Sequence, residues 1–267
     1  MSGSSSKGIV IVYSELDPAG VNIAMHLQDS ELELFKVCSD IVNCDLEIVG
    51  IGARRIFFVS RHRSEAGQSC FTVHPIGNWK EAEKGGRDST ICQSLPIEMK
   101  QTLININSHA NTQLFKNKGW KVSMEVTHHG PFCEVPCFFA EIGSSEKEWT
   151  NKDAGRIVAD AIINTVDFMK ARNLGENWRV CFGAGGGHYA PKFNKYILDG
   201  SVLGLAFSHV LPDYYAEAID FSTFRQGVEN ASPQASLVFI DWKGLKKAGR
   251  ERITDFSSRL GIRIERA

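Results

Sequence analysis

The chain has 267 residues, of which 43% are hydrophobic and 23% are charged, and its formal net charge at pH 7 is −1. This length fits one large α/β domain, and the composition is that of an ordinary globular protein. The near-zero charge excludes binding of nucleic acid through an overall positive field, and no apolar run approaches the ~20 residues that would cross a bilayer. We therefore expect a protein of the cytoplasm, or also of the nucleus, that does not bind membranes.

Predicted strands and helices alternate along the chain. Strands are expected at residues 8–14, 46–52, 54–60, 69–79, 120–127 and 135–143, from 178 into a glycine-rich loop, and at 202–212, 236–242 and 261–265. Helices are expected after an N-cap at Asp17 and Pro18, and at 96–115, 146–173, 213–230 and 243–260. Residues 1–6 are predicted to be a disordered lead, and residues 80–92 a flexible loop. The alternation predicts a single α/β domain over 1–267 with a mixed, largely parallel sheet.

Histidines collect at the ends of the predicted strands. Of eight histidines, five lie at or just beyond a strand end, and a sixth, His209, lies close to another. The five are His62, His74, His128, His129 and His188. In open α/β sheets, ligand sites form beyond the carboxyl ends of the strands. Because histidine titrates near neutral pH and is the commonest metal ligand, this placement predicts a cleft for acid/base or metal-assisted chemistry.

The adjacent pair His128 and His129, in EVTHHGPF, poses a geometric question. Successive side chains of a regular strand point to opposite faces, so both rings could not enter one cleft if the strand continued. Gly130 and Pro131 predict that the strand ends at this point. We expect one imidazole to act on water or a metal, and the other to orient it or to bind the substrate.

Two carboxylates accompany the histidines. Glu125 precedes His128 by three residues, and Glu141 lies in the apolar strand VPCFFAEIG, where a carboxylate is costly unless it is paired or functional. For Glu141, a structural role as a cap or arginine partner and a functional role are equally open. No GxSxG motif provides a serine nucleophile, so a hydrolase of this sequence would use an activated water.

The seven cysteines are irregularly spaced and form no CxxC pattern. Cys133 and Cys137 could be combined with His128 and His129 into a zinc site. Cysteines in apolar runs behave as small hydrophobic residues, so the sequence favours packing over metal binding for this pair.

The segment GAGGGHYAP is a second candidate site. It lacks the Lys-Ser/Thr ending of a P-loop, and His188 occupies the position of the last glycine in a dinucleotide fingerprint. Gly185, Gly186 and Gly187 would let a bulky ligand approach bare backbone amides, and Tyr189 could stack on a base. A tight turn between a strand and a helix is the alternative interpretation.

The C-terminal residues 241–267 are basic, with eight Lys or Arg against four Asp or Glu, a net charge of 8 − 4 = +4. This pattern indicates either a solvated helix face or a patch that contacts phosphates.

Several of these segments occur together and in a fixed order, from about Val10 to Ile240. They are DPAGVNI, FVSRHRSEAG, FTVHPIGN, EVTHHGP, FFAEIGSSEKEW, FGAGGGHYAPKF and FSHVLP. The set resembles the D-aminoacyl-tRNA deacylase family of the archaeal and plant type. HHGP, EIGS and GGGHYAP are the most specific parts of the resemblance, and the cysteine-rich background is closer to the plant branch.

The resemblance implies a three-layer α/β/α fold, similar to those of peptidyl-tRNA hydrolase and nucleoside phosphorylases. It also implies hydrolysis of the ester between a D-amino acid and the 3′-terminal ribose of tRNA, which keeps D-residues out of translation. Plant members are implied to clear aldehyde-modified D-aminoacyl-tRNA as well, in protection against ethanol-derived aldehydes. Zinc is associated with the family, no nucleotide cofactor is expected, and neither Cys133 nor Cys137 belongs to the family pattern.

The residues and the resemblance together suggest roles in this reaction. The expected catalytic group is His62, His74, Glu125, His128, His129, Glu141 and His188, of which His128, Glu141 and His188 are candidate zinc ligands. The expected substrate-binding residues are Arg61, Arg63, Gly185, Gly186, Gly187, Tyr189, Lys192 and His209. The glycine amides would stabilise the oxyanion, His188 would protonate the ribose oxygen, and the cationic residues would contact the acceptor end of tRNA.

Other functions fit parts of the same pattern. A metal-dependent amidase or peptidase would use the same histidines on other substrates. A non-catalytic module would bind tRNA without turnover, and a nucleoside phosphorylase would share only the architecture. A monomer and a homodimer are both compatible with the sequence.

Overall fold

A computed structural model describes residues 8–112, 115, 118–171, 178–198 and 204–267 of the protein. The predicted lead at residues 1–6 lies outside these ranges. The strands are β1 (Ile9–Ser14), β2 (Glu33–Val37), β3 (Arg55–Arg63), β4 (Cys70–His74), β5 (Gly77–Asn78), β6 (Thr90–Ile91), β7 (Lys121–Met124), β8 (Cys137–Ser144), β9 (Arg179–Ala184), β10 (Leu205–Leu211), β11 (Leu237–Ile240) and β12 (Arg263–Arg266). The helices are α1 (Pro18–Leu27), α2 (Pro96–Ala110), α3 (Glu146–Trp149), α4 (Lys152–Ala171), α5 (Pro191–Leu198), α6 (Asp213–Ala216), α7 (Phe221–Glu229) and α8 (Lys247–Arg259).

The strands form two main sheets. A six-stranded sheet has the order β2-β1-β3-β8-β4-β7, and a four-stranded sheet has the order β10-β9-β11-β12. All pairs in both sheets are parallel except β4 with β8, which is antiparallel. The prediction of an α/β fold with a mixed, largely parallel sheet is thus confirmed. The strands β9 to β12 pair with one another and not with the N-terminal strands, so they form a separate sheet.

The core follows from this arrangement. Alternate residues of the first sheet, such as Ile11, Phe57 and Phe138, pack with α1, α2 and α4 in one buried cluster. The second sheet packs on α7 and α8 in another cluster. None of the described helices is long and apolar enough to span a membrane.

The prediction of a strand at 46–52 is wrong. The strand that pairs with β1 at this edge is β2, which the polar residues Glu33 and Lys36 made hard to detect. Within 46–52, Gly50 and Gly52 have φ angles of +76° and +71°, which a β-strand does not allow. Leu46 is 89% exposed, so the apolar residues of this segment do not reflect burial in a sheet.

Two predicted helices are interrupted. The N-cap at Asp17 and the capping box of Ser145 and Glu148 are confirmed, but the helix expected at 146–173 is split into α3 and α4. The break lies at Asn151. Its side-chain oxygen accepts hydrogen bonds from the backbone N–H groups of Asp153 and Ala154, so Asn151 caps the N-terminus of the new helix. The helix expected at 213–230 is likewise split into α6 and α7, and Asp220 caps the second.

The predicted loop at 80–92 contains only the short strand β6. Its backbone packs closely on the histidine pair, since Gly130 donates its N–H to the carbonyl of Lys84 at 3.0 Å. A Cβ at residue 130 would collide with the backbone of Gly85 and Gly86. Whether the loop is flexible stays a prediction, but its contact with Gly130 places its residues 81–84 beside the candidate site.

Candidate active site

Three neighbouring strands align polar side chains on one face of the first sheet. In the register of β3, β8 and β4, Glu141 lies between Ser60 and Thr72. Its carboxylate accepts hydrogen bonds from the Ser60 hydroxyl at 2.6 Å and the Thr72 hydroxyl at 3.1 Å. The side chain is 2% exposed. These two hydroxyls fix a buried carboxylate in the middle of the sheet face.

The neighbouring rows of the same face carry two histidines. His62 lies opposite Gly143, where a Cβ would come within 2.8 Å of the imidazole, so a residue without a side chain makes room for the ring. His74 lies opposite Phe139 and stacks on it with ring centroids 5.0 Å apart. His62 Nδ1 and His74 Nε2 lie 3.5 and 3.7 Å from Glu141 Oε2. Both histidines therefore contact the Glu141 carboxylate.

The segment that follows β7 connects the two sheets. Glu125 donates its backbone N–H to Val73 in the first sheet, whereas Thr127 donates to Val210 in the second. Val126 donates to the carbonyl of His188 in the glycine-rich loop. Residues 125–129 are thereby held between the sheets, next to the face that carries Glu141.

Glu125 is the centre of the site. Its side chain is fully buried. Its Oε1 lies 3.2 Å from His188 Nε2 and 3.3 Å from His62 Nδ1, and its Oε2 lies 3.9 Å from His128 Nε2. Neither oxygen accepts a well-aligned hydrogen bond within the described part of the chain. A buried carboxylate of this kind needs a cation or a donor, which the imidazoles or a bound ion can supply.

The two adjacent histidines face one region because the strand ends between them. His129 has a φ angle of +42°, in the left-handed region, and this turns its ring to within 4.3 Å of the ring of His128. Each Nδ1 is placed to donate to a backbone carbonyl, His128 to Val126 and His129 to Gly130, both at 2.8 Å. This assigns Nε2 as the free acceptor of each ring when the ring is neutral.

The site combines a charged and a neutral group of imidazoles. Burial alone would lower the pKa of His62, but the hydrogen bonds and charges of Glu125 and Glu141 outweigh it and raise that pKa to about 12. Burial would raise the pKa values of Glu125 and Glu141, but their histidine neighbours lower both. At neutral pH, His62 is thus an imidazolium between two carboxylates.

The histidine pair has the opposite electrostatics. Burial, followed by repulsion from His74 and other nearby rings, lowers the pKa of His128 well below its usual value and that of His129 to about 4. Both rings are therefore neutral at pH 7. A neutral imidazole can accept a proton or bind a metal ion, so the pair is in the state that either chemistry requires.

Three sets of side chains bring potential metal ligands within 4.8 Å of one another in the described residues. They are His74, His128 and His129; Glu125, His128 and His188; and His62, Glu125 and Glu141. The second set offers two imidazoles and a carboxylate whose oxygens accept no well-aligned hydrogen bond from the described residues, a donor set that Zn²⁺ accepts in catalytic sites. The predicted ligands His128 and His188 belong to it, whereas Glu141 is held by Ser60 and Thr72 in the third set. Cys133 and Cys137 belong to none of these sets and are buried in the core.

A cavity of about 240 Å³ opens above these groups. His128, His129 and His188 line it together with Glu81, Glu83, Lys84, Tyr214 and Tyr215. We call it the histidine cavity. The sequence did not identify the last five residues. Tyr214 and Tyr215 follow the end of β10 closely, so the rule of strand ends that selected the histidines would also have found them.

The predicted substrate-binding residues are placed unevenly. Gly185 donates its amide to the carbonyl of Leu211 at 2.8 Å, so this amide is not available to an oxyanion, in contrast to our expectation. Gly186 and Gly187 use their carbonyls as acceptors, for Asp213 and Ala190. The Tyr189 hydroxyl lies 3.1 Å from His62 Nε2, while its side chain is partly exposed.

The cationic residues are less engaged with the site. Arg61 is paired with Asp40 at 3.4 Å and Asp17 at 4.0 Å, which binds it to the protein and not to a substrate. Arg63 is exposed at the end of β3, and Lys192 is partly buried in α5. The basic C-terminal segment forms α8 and β12, and its cations Lys247 and Arg259 pair with acidic residues of the same helix.

His209 is buried behind the site and not in the histidine cavity. Its side chain is 0% exposed, and its two ring nitrogens contact the Thr127 hydroxyl at 3.1 Å and the Asn230 carbonyl at 2.9 Å. This residue ties β10 to the segment that carries the histidine pair. Burial lowers its pKa to about 4.

We expect His209 to make folding sensitive to acid. The unfolded chain binds a proton at this residue near pH 6.5, whereas the folded chain resists it down to about pH 4. Its stabilising contribution is therefore complete above pH 6.5, and about 3 kcal/mol is lost as the pH falls to 4. Urea unfolding of His209→Gln should show a correspondingly weaker pH dependence than wild type. His26→Gln, which changes a partly buried histidine in the last turn of α1, is the control, and equal slopes in all three proteins would contradict the prediction.

The sequence and the fold were compared with those of known proteins. Residues 49–265 match the family model described as D-aminoacyl-tRNA deacylase. The chain is 37% identical over 216 residues to a D-aminoacyl-tRNA deacylase of Pyrococcus horikoshii, with 80% of this chain and 74% of the relative covered. It is 34% identical over 269 residues to the enzyme of that name from Methanocaldococcus jannaschii, with 96% and 98% covered. A crystal structure of a conserved protein of unknown function superposes with a TM-score of 0.85 at 27% identity and covers 97% of this chain and 95% of its own.

Proposed function

Because the chain belongs to the D-aminoacyl-tRNA deacylase family, a family of hydrolases, we propose that it hydrolyses the ester between a D-amino acid and the 3′-terminal ribose of tRNA. The products are the free D-amino acid and tRNA. The observation that carries this proposal is the buried carboxylate of Glu125 among the imidazoles of His62, His128 and His188. Ester hydrolysis needs a positioned water and a group that takes its proton. This cluster would hold the water, and the neutral His129 beside it would take the proton.

The residues divide the work of the reaction. Glu125, His128 and His188 hold the attacking water, and they are also the residues that would hold the Zn²⁺ implied by the resemblance. Zinc bound there would supply a water of lowered pKa and polarise the ester carbonyl. His129 is neutral and lines the same cavity, so its Nε2 can accept the proton as the water oxygen bonds to the carbonyl carbon.

The second half of the reaction returns that proton. The bond between the acyl carbon and the ribose oxygen breaks, and the imidazolium of His129 protonates the leaving oxygen. His62, held as a cation by Glu125 and Glu141, keeps the Glu125 carboxylate ionised and oriented. Gly186 and Gly187 precede His188 in the glycine-rich loop, and their amides would stabilise the oxyanion.

Hydrolysis of D-aminoacyl-tRNA tests the proposal directly. We expect purified protein to release the amino acid from D-tyrosyl-tRNA much faster than from L-tyrosyl-tRNA. Peptides and amino-acid amides should remain intact. Their cleavage would instead indicate an amidase or a peptidase. Binding of tRNA without release of D-tyrosine would instead support a non-catalytic module and would overturn the proposal.

We extend the proposal to the cell. The substrate is used in the cytoplasm, so the enzyme would act there on the acceptor end of tRNA. The resemblance to plant members suggests that D-aminoacyl-tRNA carrying an aldehyde-derived group on its amine is a second substrate. The histidine cavity is open to solvent beside His128 and His129, which leaves room for a small substituent. Hydrolysis of N-ethyl-D-tyrosyl-tRNA at a rate similar to that of the unmodified ester is the expected result.

Removal of metal shows whether the attacking water is held by a zinc ion or by Glu125 and the imidazoles alone. We expect the purified protein to contain zinc, and a chelator to remove it and lower deacylation at least about tenfold, because Lewis-acid stabilisation by a metal ion is worth several kcal/mol. His128→Ala should lower the zinc content measured by elemental analysis, whereas the control His26→Ala should not. Full activity of metal-free protein would show that Glu125 and the imidazoles position water without an ion.

A further inference from the structure

Two consecutive residues of the glycine-rich loop line different cavities. His188 lines the histidine cavity, whereas Tyr189 lines a second cavity of about 490 Å³. Residues of the second cavity include Ala66, Gln68, Lys121, Ser123, Tyr189 and Asn194. We call it the tyrosine cavity. None of the catalytic steps described above uses it.

The composition of the tyrosine cavity suits a nucleoside. Its volume lies in the range of small-ligand sites. The side chain of Tyr189 is 39% exposed, so its ring is available for stacking on a base. Gln68 donates its Nε2 to the carbonyls of Ser69 and Gly119, which fixes the amide and leaves Oε1 as an acceptor for an amino group.

Charge distinguishes the two cavities. The histidine cavity is lined by two carboxylates, Glu81 and Glu83, against one ammonium group, Lys84. It therefore favours the α-ammonium group of an amino acid and repels phosphates. The tyrosine cavity is lined by Lys121, whose side chain is exposed at the edge strand β7. Within the described part of the chain, no Asp or Glu lines this cavity. This cavity accepts a phosphate more readily.

We propose that the tyrosine cavity binds the terminal adenosine of tRNA and that the histidine cavity binds the D-aminoacyl group; this assignment rests on the proposed function. The position of Tyr189 connects the two parts. Its ring lines the nucleoside site, while its hydroxyl reaches His62 Nε2 at 3.1 Å in the catalytic cluster. A base stacked on Tyr189 would direct its ribose towards His188, whose Nε2 lies 3.2 Å from Glu125.

A bulky side chain in the tyrosine cavity tests the assignment without replacing a residue of the catalytic cluster. Ala66 is exposed and lines the cavity, so Ala66→Trp should fold normally and obstruct it. Ala171→Trp, at the exposed end of α4, is the matched control. We expect adenosine 5′-monophosphate to bind wild type and the control, and to bind Ala66→Trp about tenfold more weakly, as expected for loss of base stacking. The KM for D-tyrosyl-tRNA should rise similarly in Ala66→Trp, with kcat unchanged.

Lys121→Ala separates the phosphate from the nucleoside. This variant should bind adenosine 5′-monophosphate more weakly than wild type but bind adenosine equally well, because only the first carries a phosphate. Equal affinities of wild type and Ala66→Trp for adenosine 5′-monophosphate, or no binding to wild type, would overturn the assignment. Failure of wild type to hydrolyse D-tyrosyl-tRNA would instead overturn the proposed function, so the two failures are distinguishable.

Discussion

Replacement of Glu125 by glutamine is expected to lower kcat/KM for D-tyrosyl-tRNA by about a thousandfold, the upper range for removing one fixed electrostatic partner from a catalytic site. The substitution keeps the size of the side chain but removes the negative charge that pairs with His62 and lies beside the Nε2 atoms of His128 and His188. Water, or an ion that holds it, then loses its anionic partner. Because glutamine cannot pair with imidazolium, we also expect the pKa of His62 to fall.

Single-turnover deacylation measures this loss independently of product release. Glu134→Gln, at an exposed position of the loop after the histidine pair, is the matched control and should have wild-type activity. Circular dichroism and the urea midpoint report whether the fold is retained. A folded Glu125→Gln protein with activity within threefold of wild type would remove Glu125 from the centre of the proposed mechanism.

Replacement of Glu141 by alanine is expected to lower the free energy of unfolding by about 3–5 kcal/mol, the usual effect of removing one partner of a buried ion pair. The variant leaves the hydroxyls of Ser60 and Thr72 without their acceptor and deprives His62 and His74 of a neighbouring charge. Buried groups without partners are costly, so the loss extends over three strands.

Glu141→Gln tests which part of this loss comes from charge. Its side-chain oxygen can still accept from Ser60 and Thr72, so we expect a smaller loss of stability than for Glu141→Ala. Urea unfolding at pH 7 compares both variants with wild type and with the exposed control Glu134→Gln. Equal stability of Glu141→Ala and wild type would show that the carboxylate does not support the sheet face.

The sequence located the histidines of the site, but the rule that selected them describes the geometry only in part. β4 and β7 run antiparallel to β8, so His74 and His62 do not follow strands that end at one common edge. They meet because alternate residues of β3, β8 and β4 share a sheet face around Glu141. The strand pairing that creates this face involves residues about 80 apart, as for Ser60 and Glu141, and local periodicity carries no information about it.

Other features were out of reach for the same reason. Arg61 is a residue type that often binds phosphates, so the sequence suggested a substrate contact. The fold instead brings Asp17 and Asp40 next to its guanidinium group. The use of the Gly185 amide by Leu211 depends on the pairing of β9 with β10. By contrast, the cap at Asp17 and the capping box at Ser145 involve neighbouring residues, and both were predicted correctly.

The anchoring of the segment from Glu125 to His129 determines how substitutions elsewhere in the protein affect its activity. Its backbone is anchored to Val73 on one side and to Val210 on the other, in sheets formed by different parts of the chain. A substitution that loosens either sheet will shift the same five residues, even if it lies far from the substrate. Random mutagenesis should therefore yield inactive but folded variants from both halves of the sequence, and heating should abolish turnover before the secondary structure melts.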